Sequence, residues 1–326
     1  MCYNMLMCFK SLLWKCQVFT KLRYSILHNK ILRELFYYIS RRKVPLKKID
    51  RKLLKLQTYR KKILQDCIVS LTTYGERFSE VKYSLYSLIT QSVSPEKIVV
   101  NIAYGDAERL ASELLYLQKF GVEFNFYEDV KSYKKLIPVL LKYPTKNIVT
   151  CDDDLYYPKD WLRELWSKHI ENPKAVICHL AYKITHDRNK VNNYQQWIHN
   201  YKFTKPDNSI FILGGSGVLY PPGSLHKDVT NKAIFNEVAP YADDLWFYFM
   251  TILNKTSIFQ VKHPYINLRF INPDREYGIK AGETLNQKNV YNNKNDEQFK
   301  NIMQYYNISE EMFIQFISNR QYYLEI

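Results

Sequence analysis

Glycine is scarce in this chain, nine residues in 326. That excludes collagen-like and glycine-rich low-complexity architectures, and it makes any glycine cluster a mark of tight turning or close approach. The six cysteines, Cys2, Cys8, Cys16, Cys67, Cys151 and Cys178, contain no CxxC spacing, so neither a zinc framework nor a disulfide scaffold is expected. Cys67, Cys151 and Cys178 sit in apolar runs, where thiols serve as small core residues. A reducing, cytoplasmic setting is the simple expectation. Near the N-terminus Lys10, Lys15, Lys21 and Arg23 interrupt every apolar window before it reaches the roughly 18 residues of a membrane span. A secretory signal is not expected either, because the basic residues follow the apolar start and no small-residue cleavage site appears. Internal repeats are also lacking.

Acidic residues are nearly missing from the first 65 positions. That stretch holds 17 Lys or Arg against Glu34 and Asp50 alone, which accounts for the whole net charge of +15. The remainder is neutral, which argues against a nucleic-acid-binding body, since a basic domain needs its charge on the working surface. The arm is also aromatic, with Trp14, Phe19, Phe36 and Tyr38 among its basic residues. Interleaved cations and aromatics at near-helical spacing suit an anionic membrane face. The expectation is a basic helical arm over 1–65, peripheral on the inner membrane face. The alternative is an extension that packs on the body or on a second subunit.

Beyond the arm, about 260 residues suffice for one α/β core. Strands are predicted at Cys67–Leu71, Lys97–Ala103, Val122–Tyr127, Ile148–Cys151 and Ala175–Leu180. Between them, Ser79 offers an N-cap for a helix with Val81, Leu85, Leu88 and Ile89 on one face. Further helices are predicted around Leu110, Leu114 and Leu117 and over Trp161–Ile170. This alternation argues for a mostly parallel sheet with flanking helices. Ligands bind beyond the carboxyl ends of such strands, a rim that gathers Thr72–Arg77, Tyr104–Asp106, Glu128–Lys135 and Asp152–Asp154.

Three features carry chemistry, the first of them on this rim. Asp152-Asp153-Asp154 follows an apolar strand, and adjacent anions ask for a cation, Mg²⁺ or Mn²⁺. If the segment stays extended, Asp152 and Asp154 share a side; an acidic surface turn is the alternative. Gly214-Gly215-Ser216-Gly217 is neither a P-loop nor a dinucleotide fingerprint, and reads as a floor for a sugar ring or a bulged turn. Asp243-Asp244 begins an aromatic segment with Trp246, and can cap a helix or supply a general base. Lys131, Lys134 and Lys135 read singly as a solvated helix start, and together with Arg77 as phosphate ligands.

In this order, Ser70-Leu71-Thr72-Thr73-Tyr74 with Arg77, the acidic triplet, Gly214–Gly217 and Asp243-Asp244 resemble a family-2-type glycosyltransferase of the GT-A fold, of the bacterial surface-polysaccharide kind. The resemblance covers roughly residues 66–265. It implies a Rossmann-like domain over 66–270, with 271–326 as a helical or irregular extension. It implies a nucleotide diphospho-sugar donor, a glycan or lipid-linked acceptor, and inverting transfer. The triplet matches the family's DxD motif, with Asp154 and Asp152 toward the metal and Asp153 toward the nucleotide sugar. Thr72, Tyr74, Arg77 and Lys135 would lie along the donor. Asp244 takes the place of the catalytic base, with Asp243 as its rival. Gly214, Gly215, Ser216, Gly217 and Trp246 would face the acceptor or sugar. His263 stands where relatives sometimes supply a metal-binding histidine. Two other classes remain: a nucleotidyltransferase on a similar scaffold, and a non-catalytic membrane- or polymer-binding protein.

Overall fold

The computed structural model describes residues 44–57, 62–265, 268–273, 275, 293–319 and 324. The expected basic helical arm therefore lies outside the described residues over 1–43. Its end is described: helix α1 (Leu46–Leu53) precedes strand β1 (Ile63–Thr72), which starts before the expected boundary at 66.

A seven-stranded sheet forms the centre. Its strands are β1, β2 (Ser94–Ala103), β3 (Val122–Tyr127), β4 (Asn147–Thr150), β5 (Val176–Cys178), β6 (Val218–Tyr220) and β7 (Ile258–Gln260), in the order β7-β5-β6-β4-β1-β2-β3. Strand β6 runs against its neighbours β4 and β5, and the other pairs are parallel. The sheet is buried on both faces, and alternate residues divide between two cores. Ile68, Val99, Ile148 and Val218 enter one; Val69, Val100, Val149 and Leu219 enter the other. Such two-sided burial explains why the strands read as unbroken apolar runs.

Helices cover both faces. On one side lie α2 (Phe78–Ile89) and α3 (Trp161–Glu171), whose Val81, Leu85, Leu162 and Leu165 share a core. The other side centres on α4 (Asp243–Leu253), where every residue from Leu245 to Leu253 is buried. A helix apolar all round belongs inside a protein. Helices α5 (Lys294–Tyr305) and α6 (Glu310–Ser318) close over it, with Phe299, Ile302 and Phe313 in the same core as Phe249. Helix α1 adds a small third cluster, in which Val44 and Ile49 meet Tyr83 and Tyr86 of α2 and Ile271.

Two local expectations change. Ser79 is not the N-cap: α2 begins at Phe78, straight after a 3-10 turn over Gly75–Arg77, and no side chain caps it. The stretch with Leu110, Leu114 and Leu117 is not one helix but a single α turn, Ser112–Leu115, between 3-10 segments.

Candidate active site

Because β1, β2, β3 and β4 are parallel, the segments after them meet at one end of the sheet. The antiparallel β6 starts at that end, with Val218 opposite Thr150, so the glycine turn before it lies against the acidic triplet. Together with the start of α4 these segments line a cavity of about 640 Å³.

The triplet does not stay extended. Asp153 and Asp154 form a turn, and Asp152 parts from the other two carboxylates. Asp153 is buried; it accepts from Thr73 Oγ1 at 2.7 Å and from Arg77 Nη1 at 2.5 Å. Asp154 shares that guanidinium at 3.0 Å. Asp152 accepts from Lys135 Nζ at 2.6 Å. Burial works against the Arg77 charge, but the carboxylates of Asp153 and Asp154 outweigh it and keep the guanidinium firmly protonated.

Lys135 is the link between the two acidic groups. Its ammonium also lies 3.3 Å from Asp243 Oδ2. Burial favours the neutral amine, yet Asp152, Asp243 and Asp244 together raise its pKa well above the ordinary lysine value. Lys134 and Lys135 are both buried, so the reading of a solvated helix start fails. A buried ammonium needs partners; Lys134 has Asp129.

Asp243 also accepts from Ser132 Oγ at 2.8 Å. Asp244 accepts from the Gly214 amide at 2.9 Å. Its carboxyl opens on the cavity and is otherwise enclosed by protein. That burial, with the neighbouring Asp243 charge, raises it to about 7, against the pull of Lys135 and the Gly214 amide. A carboxyl poised there can hold or release a proton near neutral pH.

The glycine turn is held from beneath. Tyr157 OH donates to Gly215 O at 2.7 Å and accepts from the Asp152 amide at 2.7 Å; Trp161 Nε1 donates to Ser216 O at 2.8 Å. A methyl on Gly215 would sit 1.9 Å from Asp152 Oδ2, and one on Gly217 would sit 2.5 Å from Trp161 Nε1. The glycines are therefore dictated by the acid above and the indole below.

Most of the expected residues come together. Thr72, Tyr74, Arg77, Lys135, Asp152, Asp153, Asp154, Gly215, Ser216, Asp243 and Asp244 line the cavity. Gly214 lies behind its wall, against Asp244 and Thr150. Gly217 does not face the cavity but packs on Trp161. Trp246 corrects the sequence reading most sharply: it is fully buried and donates to Val229 O, so it is core and cannot face an acceptor. His263 is exposed and is not among the residues lining the cavity. Sequence reasoning missed Ser132 and Tyr157 as partners of the site, and Asn272 and Arg275 on its wall. No local pattern marks them; their roles arise from chain segments far apart.

A divalent cation fits this donor set. The cavity wall carries seven carboxylates (Asp106, Asp129, Asp152, Asp153, Asp154, Asp243 and Asp244) against five cations (Arg77, Lys131, Lys134, Lys135 and Arg275). A diphosphate entering this excess of negative charge needs a counter-ion. Hard cations take one or two carboxylates plus phosphate oxygens, and Asp152 and Asp154 are the acids of the triplet left least buried. Among the described residues no group of three His, Cys, Asp or Glu side chains forms a complete metal cage, so the remaining ligands fall to substrate and water.

Residues 144–230 match the model of Glycosyl transferase family 2. The stretch runs from just before β4 to beyond β6 and so includes the acidic triplet and the glycine turn. No curated protein matches the chain. Among solved structures, the chain is similar to S. aureus TarS 1-349 in complex with UDP, at 15% identity and a TM-score of 0.41, covering 59% of this chain and 57% of that one. It is similar to S. aureus TarS 1-349 at 15% identity and a TM-score of 0.40, covering 79% and 82%. A 4-diphosphocytidyl-2C-methyl-D-erythritol synthase gives 14% and 0.39, covering 68% and 97%. The first similarity thus spans little more than half of the related chain, and scores of this size carry nothing about substrate.

Proposed function

We propose that this chain, whose residues 144–230 match Glycosyl transferase family 2, is a GT-A glycosyltransferase that transfers a sugar from a nucleotide diphospho-sugar to a hydroxyl of a glycan or lipid-linked acceptor, with inversion at the anomeric carbon. The observation that carries it is the pairing of two acidic groups across one cavity, the triplet after β4 and Asp243-Asp244 at the start of α4, bridged by Lys135. One group suits a charged donor and the other a proton transfer.

Thr72, Tyr74 and Arg77 line the donor end, and Arg77 fixes the turn that presents Asp154. When bound there, Mg²⁺ or Mn²⁺ held by Asp154 and Asp152 would offset the charge of the diphosphate. Lys135, kept protonated by its carboxylates, adds a fixed positive charge for the leaving phosphate. Asp244 accepts the proton of the acceptor hydroxyl, and its raised pKa suits a base working near neutrality. Asp243 holds Ser132 and Lys135 in place beside it.

The arm over 1–65 is proposed to hold the enzyme on an anionic membrane face, near a lipid-linked acceptor. The basis is its charge and aromatic content. Among the described residues no helix is long and apolar enough to cross a membrane.

Product analysis tests the reaction. Incubation with nucleotide sugars and Mn²⁺ should release a nucleoside diphosphate. Release of pyrophosphate instead would overturn glycosyl transfer in favour of nucleotidyl transfer.

A further inference from the structure

Of the five cations on the cavity wall, Lys131 lies over the Tyr241 ring, and the other four are neutralised by carboxylates in two different ways. Arg77, Lys134 and Lys135 pair with carboxylates that themselves line the cavity. Arg275 lines the cavity too, but its partner Glu80 does not. The pair is a bidentate fork: Arg275 Nη1 donates to Glu80 Oε2 at 2.7 Å and Nη2 to Oε1 at 3.0 Å. Asn272 Nδ2 donates to the same Oε1 at 2.9 Å.

Both partners are attached to the acidic triplet's surroundings. Glu80 stands in the first turn of α2. The segment leading to Arg275 is tied to the triplet itself. Arg269 and Phe270 pair antiparallel with Tyr156 and Leu155, and the Ile271 amide donates to Asp154 O at 2.8 Å. Arg275 is thereby placed on the wall beside the residue expected to meet the donor's diphosphate.

We propose that Arg275 is a further donor-binding residue, which exchanges Glu80 for the diphosphate of the nucleotide sugar. The inference rests on the glycosyl-transfer reading and deepens it. A guanidinium fork matches phosphate and carboxylate geometry alike. The Glu80 pair is partly exposed, 26% for Arg275 and 21% for Glu80, so an anion entering the cavity can reach the guanidinium. A diphosphate brings more negative charge to the fork than one carboxylate does, and competes for it on those terms. The exchange also strands nothing inside the site. Moving Arg77 would leave Asp153 buried without its cation, whereas Glu80 keeps Asn272 and meets water.

Full-length protein titrated calorimetrically with ADP, CDP, GDP and UDP, each with Mn²⁺, provides the test, with the matching monophosphates as a second arm. For the diphosphate that binds wild type most tightly, Arg275→Gln weakens binding about tenfold or more, the loss of charge-assisted hydrogen bonds. Glu80→Gln frees the fork and tightens binding by about twofold or more, the release of a competing ion pair. Monophosphate affinity changes less in both variants. Thermal melts show whether each variant is folded. Two variants that weaken binding alike would make the pair a structural brace, and two that leave it unchanged would remove Arg275 from the donor site; either overturns the proposal. Should wild type bind no nucleoside diphosphate at all, the glycosyl-transfer reading falls with it.

Discussion

The Gly214 amide donates to Asp244 Oδ1 at 2.9 Å, and a methyl added to Gly214 would lie 2.8 Å from that same oxygen. One residue both orients the carboxylate and leaves it room. Gly214→Ala should therefore displace Asp244 while leaving the distant nucleotide end intact. We expect kcat to fall by roughly tenfold or more, since small misplacements of a reacting group are heavily penalised, with nucleoside diphosphate affinity unchanged. Steady-state kinetics beside calorimetry separates the two.

Asp244→Asn should keep donor binding and lose about 10²–10⁴-fold in kcat, the usual contribution of a general base. If Asp243→Asn is the dead variant and Asp244→Asn stays active, the base is the other carboxylate. In wild type, activity should rise with pH through about 7 as Asp244 deprotonates. Stability moves the opposite way. A carboxyl whose folded pKa is raised binds more protons in the native state between the two values, so stability falls as pH rises toward 7. Asp244→Asn should accordingly be more stable than wild type at pH 8, and this advantage should vanish near pH 4. Urea unfolding at the two pH values checks the sign.

Asp153→Asn and Asp154→Asn should part company. Asp153 is buried against Arg77 and Thr73, and breaking one side of a buried pair typically destabilises by about 3 kcal/mol. Asp154 is more exposed, so its amide should leave the unfolding midpoint nearly unchanged and abolish Mn²⁺-dependent nucleotide binding. Unchanged metal-dependent affinity in that variant would sink the metal-site reading.

Two neighbouring glycines should fail for different reasons. Gly215→Ala drives a methyl into Asp152 and should impair nucleotide binding first. Gly217→Ala places a side chain at φ +114° against the Trp161 indole. It should lower the melting temperature first, because the strain lies under the site. Melts and titrations on the same samples distinguish the two outcomes.

For the arm, full-length protein should sediment with anionic vesicles and be only partly released by high salt, since salt screens charge but not inserted aromatics. A chain beginning at Val44 should remain folded and bind nucleotide but stay in the supernatant. Full-length protein that ignores anionic vesicles would make the arm a packing or oligomerisation element.

Much of the scaffold was legible because the sheet is buried on both faces. An unbroken apolar run located β4 to within one position at each end, and the alternating Val-Glu-Phe-Asn-Phe-Tyr located Val122–Tyr127 to the residue. The rim rule then brought Thr72, Arg77, Lys135 and Asp152 to one cavity. What stayed hidden depended on burial and on distant partners. Trp246 beside two acids reads like a binding residue, yet helix periodicity turns it away from Asp244 into the core. Lys134 and Lys135 look like a charge run facing water, but the acids that justify burying them come from elsewhere in the chain. The separation of Asp152 from Asp154 was invisible because the backbone turns where an extended segment was expected.

Helix α1 gives the arm a mechanical meaning. Ile49 is 2% exposed and packs in the cluster that holds Tyr83, Tyr86 and Ile271, and the Ile271 amide is hydrogen-bonded to Asp154 O. The arm is therefore not a rope tied to a passive load. If the arm holds a membrane as proposed, a pull on it would be borne by the same packed cluster that steadies the wall of the cavity. Cutting the chain after α1 would remove a buttress, and a chain shortened to begin at the first strand should lose nucleotide affinity as well as any vesicle binding.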